Sequence, residues 1–175
     1  HDLRTPGETL WISERDGWRH IYLMDMMADK VKRSITSGAR VVKNVLRGDE
    51  EHDAIYFIGC GKDEGEDPYY EQLYRVSISN GSLHCLTPEP MNHRIDLSPD
   101  STYFICTSST PVSPPVCTLR ETDTGKQVIQ LESSDIRPAL DKGEMSHVPF
   151  HANGRDGEND IWRLITLPPG LDPTN

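Results

Sequence analysis

Several short stretches carry residues that could do chemistry. Gly59-Cys60-Gly61-Lys62 opens like a phosphate-cradling loop, but it lacks the further Gly and the Lys-Ser/Thr of a phosphate loop. The acidic run that follows, Asp63 to Asp67 (DEGED), would repel an anion. That run could offer oxygens to Ca²⁺, which takes roughly 6–8 of them, yet it has neither the length nor the alternating Asp pattern of an EF-hand loop. His147 and His151 stand four apart and could share a metal on a helix, but Pro149 lies between them and Phe150 reads as a strand residue. Glu50 and Glu51, in RGDEEHDA, read as a solvated charge run at a strand-to-strand turn. Cys60, Cys85, Cys106 and Cys117 form no CxxC pair and read as small apolar strand residues, with a disulfide such as Cys85 to Cys106 as the alternative; the redox compartment stays open. Asn80-Gly81-Ser82 fits the N-glycosylation pattern, although a tight turn alone accounts for Asn-Gly there. Tyr69 and Tyr70, in GEDPYY, sit in a long loop suited to an interaction role. The pentapeptide G-x-S-x-G, which would place a serine on a sharp strand-to-helix turn, occurs nowhere in the sequence. No catalytic, cofactor-binding or metal-ligating residue is assigned, and no cofactor is expected.

The elements that would position these residues are strands. At 175 residues the chain suits one domain with a real core, and no apolar run approaches the ~18 residues of a membrane-spanning helix. A formal charge of -10 with scattered Lys and Arg argues against nucleic acid as a partner. The opening HDLRTPGETLW shows no signal-peptide pattern.

Three runs share a β-rich texture: TLWIS from Thr9, AIYFI from Ala54 and TYFIC from Thr102. Each is followed by a second run (HIYLMD from His20, QLYRVS from Gln72, PVCTLR from Pro115) and a third (VKRSIT from Val31, SLHCLT from Ser82, KQVIQL from Lys126). VVKNVL from Val41 and HRIDLSPD from His93 can open a unit, making four strands per unit. Aligning Trp11, Tyr56 and Phe104 gives spacings of 45 and 48, and Ile35 and Leu86 are 51 apart. Four short strands recurring at roughly 40–50 residues predict β-propeller blades. Asp16-Gly17, Asn80-Gly81 and Ser98-Pro99-Asp100 punctuate them as turns. The fold class is therefore all-β: about two and a half four-stranded antiparallel blades over 1–132 (a partial blade at 1–40, blades at 41–88 and 92–132). Since terminal blades would leave open faces, the chain is expected to be a piece of something longer. A short helix is predicted within Ser133 to Lys142, in a linker over 133–147. A hairpin follows, VPFHAN then IWRLITLP, whose strand is ended by Pro168 and Pro169.

Taken together, WISERDGWRHIYLMDM, IYFIGCGKDEGEDPYYEQLYRVSI, LTPEPMNHRIDLSPDSTYF and PPVCTLRETDTGKQV resemble the late propeller blades of the dipeptidyl peptidase IV-like branch of the prolyl oligopeptidase serine peptidases. FHANGRDGENDIWRLITLPPGLDP resembles the entry into that family's α/β-hydrolase domain, expected over 148–175. The resemblance implies a parent peptidase that releases N-terminal dipeptides, with a Ser, Asp and His triad and a Glu pair that anchors the substrate's free amine. The family's Glu pair lies in an earlier blade, so Glu50 and Glu51 do not inherit that role. This chain would wall the substrate chamber and pack on the parent's own hydrolase domain, without activity of its own. The expected partners are the parent's peptide substrate, that hydrolase domain, and a second copy through open blade edges or a homodimer of the parent. The parent is expected to be extracytoplasmic (periplasmic, secreted or membrane-anchored). The alternative from another class is a non-enzymatic propeller that serves as a protein-interaction scaffold.

Overall fold

The computed structural model describes residues 5–61, 66–140, 146–168 and 171. Apolar runs broken by turn residues give thirteen strands among the described residues, in four antiparallel sheets. The first sheet has three strands: β1 (Glu8–Ser13), β2 (His20–Asp25) and β3 (Lys30–Ser34). The second runs in order through β4 (Val41–Asp49), β5 (Ala54–Cys60), β6 (Gln72–Ser77) and β7 (Leu83–Cys85). The third contains β8 (Asn92–Leu97), β9 (Tyr103–Thr110), β10 (Ser113–Glu121) and β11 (Gln127–Ser133). A two-stranded sheet of β12 (Ser146–Asn153) and β13 (Asp160–Leu167) follows one turn of helix, α1 (Arg137–Leu140). The helix lies within the predicted window of Ser133 to Lys142, at whose start Ser133 still pairs with Val116 in the third sheet. β12 takes in Ser146 and His147, which pair with Leu167 and Thr166. β13 stops just before Pro168, which has no N–H to donate to a ladder.

The three larger sheets stack like blades, and the alternation of β5 is what lets the second serve both neighbours. Ile55 and Phe57 point to one face, where they join Tyr74 and Val76 against Leu10, Ile21, Leu23 and Ile35 of the first sheet. Ala54, Tyr56 and Ile58 point to the other, where they join Leu73 and Leu86 against Phe104 and Cys106 of the third. Phe57 and Tyr74 stack with ring centroids 5.3 Å apart.

This packing corrects the alignment of Trp11, Tyr56 and Phe104 as equivalents. Tyr56 faces forward onto the third sheet, whereas Phe104 faces back onto the second. Trp11 pairs across the ladder with Tyr22, on the face opposite Leu10, and is 52% exposed. The residue that matches Tyr56 is Leu10, since both face the following sheet. A slip of one residue reverses the face of every side chain in a strand.

The spacing of Ile35 and Leu86 is a true repeat. Ile35 N–H donates to Ile21 O at 2.8 Å, and Leu86 N–H donates to Leu73 O at 2.8 Å. The next residue is a buried Thr in both, and its hydroxyl accepts the returning N–H: Ile21 N to Thr36 Oγ1 at 3.0 Å and Leu73 N to Thr87 Oγ1 at 2.8 Å. Each hydroxyl satisfies a backbone donor that would otherwise be orphaned in the core.

Candidate functional site

The residues singled out from sequence do not converge. The four cysteines lie on β5, β7, β9 and β10 and form no disulfide with one another. Lys62 and most of the DEGED run lie outside the described residues; Asp67 accepts the Tyr69 N–H at 2.9 Å and so shapes a turn. Tyr69 is 69% exposed, while burial raises the pKa of Tyr70. His147 and His151 lie on strand β12, where a separation of four residues spans roughly 13 Å, too far to share one metal. His147 meets Thr166 Oγ1 at 3.1 Å, and His151 stacks on Trp162 at 4.9 Å. Asn80 is exposed, and its Oδ1 accepts the Ser82 N–H at 2.8 Å.

Glu50 and Glu51 line a polar cavity of about 330 Å³ between the β4–β5 and β8–β9 turns, with Arg47, Asp49, His52 and Asp100. Arg47 is the clamp across this seam. Its Nη1 donates to Ser98 O and Pro99 O at 2.8 Å and to Ser101 Oγ at 2.9 Å. The guanidinium is thus committed to carbonyls of the neighbouring sheet. Asp49 and His52 pair at 3.0 Å, and that hydrogen bond raises the pKa of His52. Among the described residues no three His, Cys, Asp or Glu side chains are grouped to hold a metal ion.

A second polar system crosses both seams. Arg19 Nη1, just before β2, donates to Lys43 O on β4 at 3.2 Å, and the Lys43 ammonium pairs with the Glu71 carboxylate just before β6. The Glu71 carbonyl then accepts the His93 N–H at 2.9 Å and faces His93 Nδ1 at 3.0 Å. His93, on β8, is 1% exposed. Its Nε2 lies 3.6 Å from Glu89 Oε2, in the connector between the second and third sheets. Arg120 Nη1 holds the other oxygen of Glu89 at 2.8 Å, and Arg120 Nε donates to Thr118 Oγ1 at 3.2 Å.

His93 occupies a repeated position. Val42 N–H donates to Arg19 O at 2.8 Å, as His93 N–H donates to Glu71 O, so the buried Val42 of β4 and His93 of β8 are counterparts. Burial pushes the imidazole below its ordinary pKa, against the Glu71 carbonyl and the Glu89 charge, which favour the cation. Burial also drives the neighbouring Cys106 thiol up to about 11, which makes it an inert sulfhydryl. Sequence reasoning missed His93, Glu89 and Arg120. Aligning VVKNVL with NHRIDL, both of which open a unit, would have flagged a histidine at a valine's place.

A family profile described as the dipeptidyl peptidase IV N-terminal region matches residues 2–115. Among solved structures, one described as a dipeptidyl aminopeptidase IV from Bacteroides ovatus superposes with a TM-score of 0.77 at 23% identity. The match covers 97% of this chain and 26% of that one. Dipeptidyl peptidase 4 of Porphyromonas gingivalis superposes with a TM-score of 0.75 at 23% identity, over 97% of this chain and 23% of its own. The chain thus spans about a quarter of the length of these proteins, and at such identity they speak to the fold. With the profile covering more than half of the chain, and with sheets that stack as partial propeller blades, the chain belongs to the dipeptidyl peptidase IV N-terminal region family.

Proposed function

We propose that this segment is a non-catalytic part of a serine-type dipeptidyl peptidase, forming the propeller wall of its substrate chamber and running into its hydrolase domain over 148–175. On the same likeness, the parent acts outside the cytoplasm on peptides with a free N-terminus.

The observation that carries this reading is the hairpin β12–β13. Phe150, Ile161 and Ile165 lie on one of its faces and Leu164 on the other, and all four are exposed. Apolar residues on both faces suit strands destined to be covered from two sides, as in a sheet between helix layers. A self-contained propeller scaffold has no use for such a pair.

The test is to express the full-length protein, label it with a serine-directed fluorophosphonate, and assay a chromogenic Gly-Pro substrate with and without an N-terminal acetyl group. Labelling, with cleavage of the free-amine substrate alone, is expected. A folded protein that neither labels nor cleaves would overturn the reading and favour the interaction scaffold.

A further inference from the structure

We propose that His93 and Glu89 form an acid-released catch between the second and third sheets: neutral His93 keeps the seam closed, and proton uptake at Nε2 favours its parting. A carbonyl only accepts, so the 3.0 Å contact with Glu71 O places the proton of the neutral ring on Nδ1. Nε2 then carries a bare lone pair, aimed at Glu89 Oε2, another acceptor. Neither atom has a hydrogen-bond partner among the described residues, although both are shut off from solvent.

Every group that faces the ring bears on what a second proton would do. Glu89 and the carbonyls of Glu71 and Met91 favour the imidazolium; Arg120 opposes it. Arg120 already neutralises Glu89 across 2.8 Å, and the Lys43 ammonium already neutralises the Glu71 carboxylate. Cys106, at the same seam, is a neutral thiol, because burial holds its pKa at about 11. A proton on Nε2 therefore adds a second positive charge beside Arg120, on a ring shut off from solvent, against the single carboxylate of Glu89. Burial pushes the closed-state pKa of His93 below 6.5, whereas a parted seam would return the ring to water and to that ordinary value. The stabilising contribution of His93 is thus complete above about pH 6.5 and is lost as the pH falls toward the depressed value. β4 has no such device at the matching place, where Val42 is wholly buried.

Hydrogen exchange on the full-length protein, corrected for the intrinsic pH dependence of exchange, reads the catch directly. Between pH 7.5 and pH 5.5, protection of β8 should fall by up to about tenfold per pH unit below 6.5. His93→Val, which installs the residue of the matching position, should abolish that fall. His20 is also buried and depressed, so the comparison is made between wild type and variants and not between seams. Glu89→Gln removes a charge that favours the imidazolium while Arg120 remains, so in a profile carried on to about pH 4.5 the fall should still begin near pH 6.5 but run further and deeper than in wild type, and it decides the matter if His93→Val does not fold. A flat wild-type profile, a His93→Val variant that keeps the fall, or a Glu89→Gln variant whose fall is no deeper than that of wild type would overturn the proposal.

Discussion

At Asp100 one carboxylate organises a whole turn: it accepts Ser98 Oγ at 2.6 Å, Thr102 Oγ1 at 2.7 Å and the Thr102 N–H at 3.2 Å. The hydrogen bonds from Ser98 and Thr102 hold its pKa at about 2, below the ordinary 3.8. A depressed carboxylate contributes stability that is complete above the unfolded value and is lost as the pH falls through the folded one. Asp100→Ala should therefore lower the urea midpoint at pH 7, and its difference from wild type should shrink between pH 3.8 and about 2. A difference that stays constant across that range would show that the turn does not depend on the charge. The neighbouring Ser101 stands at φ 58, a left-handed conformation that L residues adopt sparingly, and the Asp100 bonds help to hold it.

Between elements, the β6–β7 and β10–β11 hairpins show how one repeat can carry different constraints. Gly81 and Gly125 hold the same place in the β6–β7 and β10–β11 turns, at φ 74 and φ 71. Each lies against the carbonyl that ends the preceding blade, Ile35 O for Gly81 and Leu86 O for Gly125. A Cβ at Gly81 would meet Ile35 O at an ordinary 3.5 Å, whereas one at Gly125 would overlap the Leu86 backbone. Gly81→Ala should thus cost only the backbone term of about 1–2 kcal/mol, and Gly125→Ala distinctly more. Equal losses in chemical denaturation would rule out the second seam as the cause. The strands themselves were legible in the sequence because apolar runs and turn residues alternate clearly; β2 and β6 begin and end as read. The face of each residue was harder to read. β5 is buried on both faces and so shows no apolar–polar alternation from which its register could be read, and the aligned aromatics fell on opposite faces. The His93 cluster was less legible still, since Glu89, His93 and Arg120 are brought together by the stacking of sheets and by no local pattern.

On the scale of the molecule, the stacking rule leaves one face of each kind open. Trp11 is exposed on the first sheet and Trp18 in its β1–β2 turn, and Tyr103, Ile105 and Ile129 are exposed on the third; all seven residues of β11 are exposed. Exposed apolar faces and an uncovered edge strand invite pairing. The 175-residue chain in isolation should bind an apolar dye and self-associate as its concentration rises, as read by light scattering. A monodisperse, dye-silent monomer would contradict the open-face description. The placement of Cys106 gives the stack a gauge of its own. Its thiol is 0% exposed at the junction of the second and third sheets, whereas Cys60, Cys85 and Cys117 are half-buried. An alkylating reagent should therefore consume three sulfhydryls early and the fourth only at the rate at which the blades come apart, so thiol chemistry can time the breathing of the propeller wall.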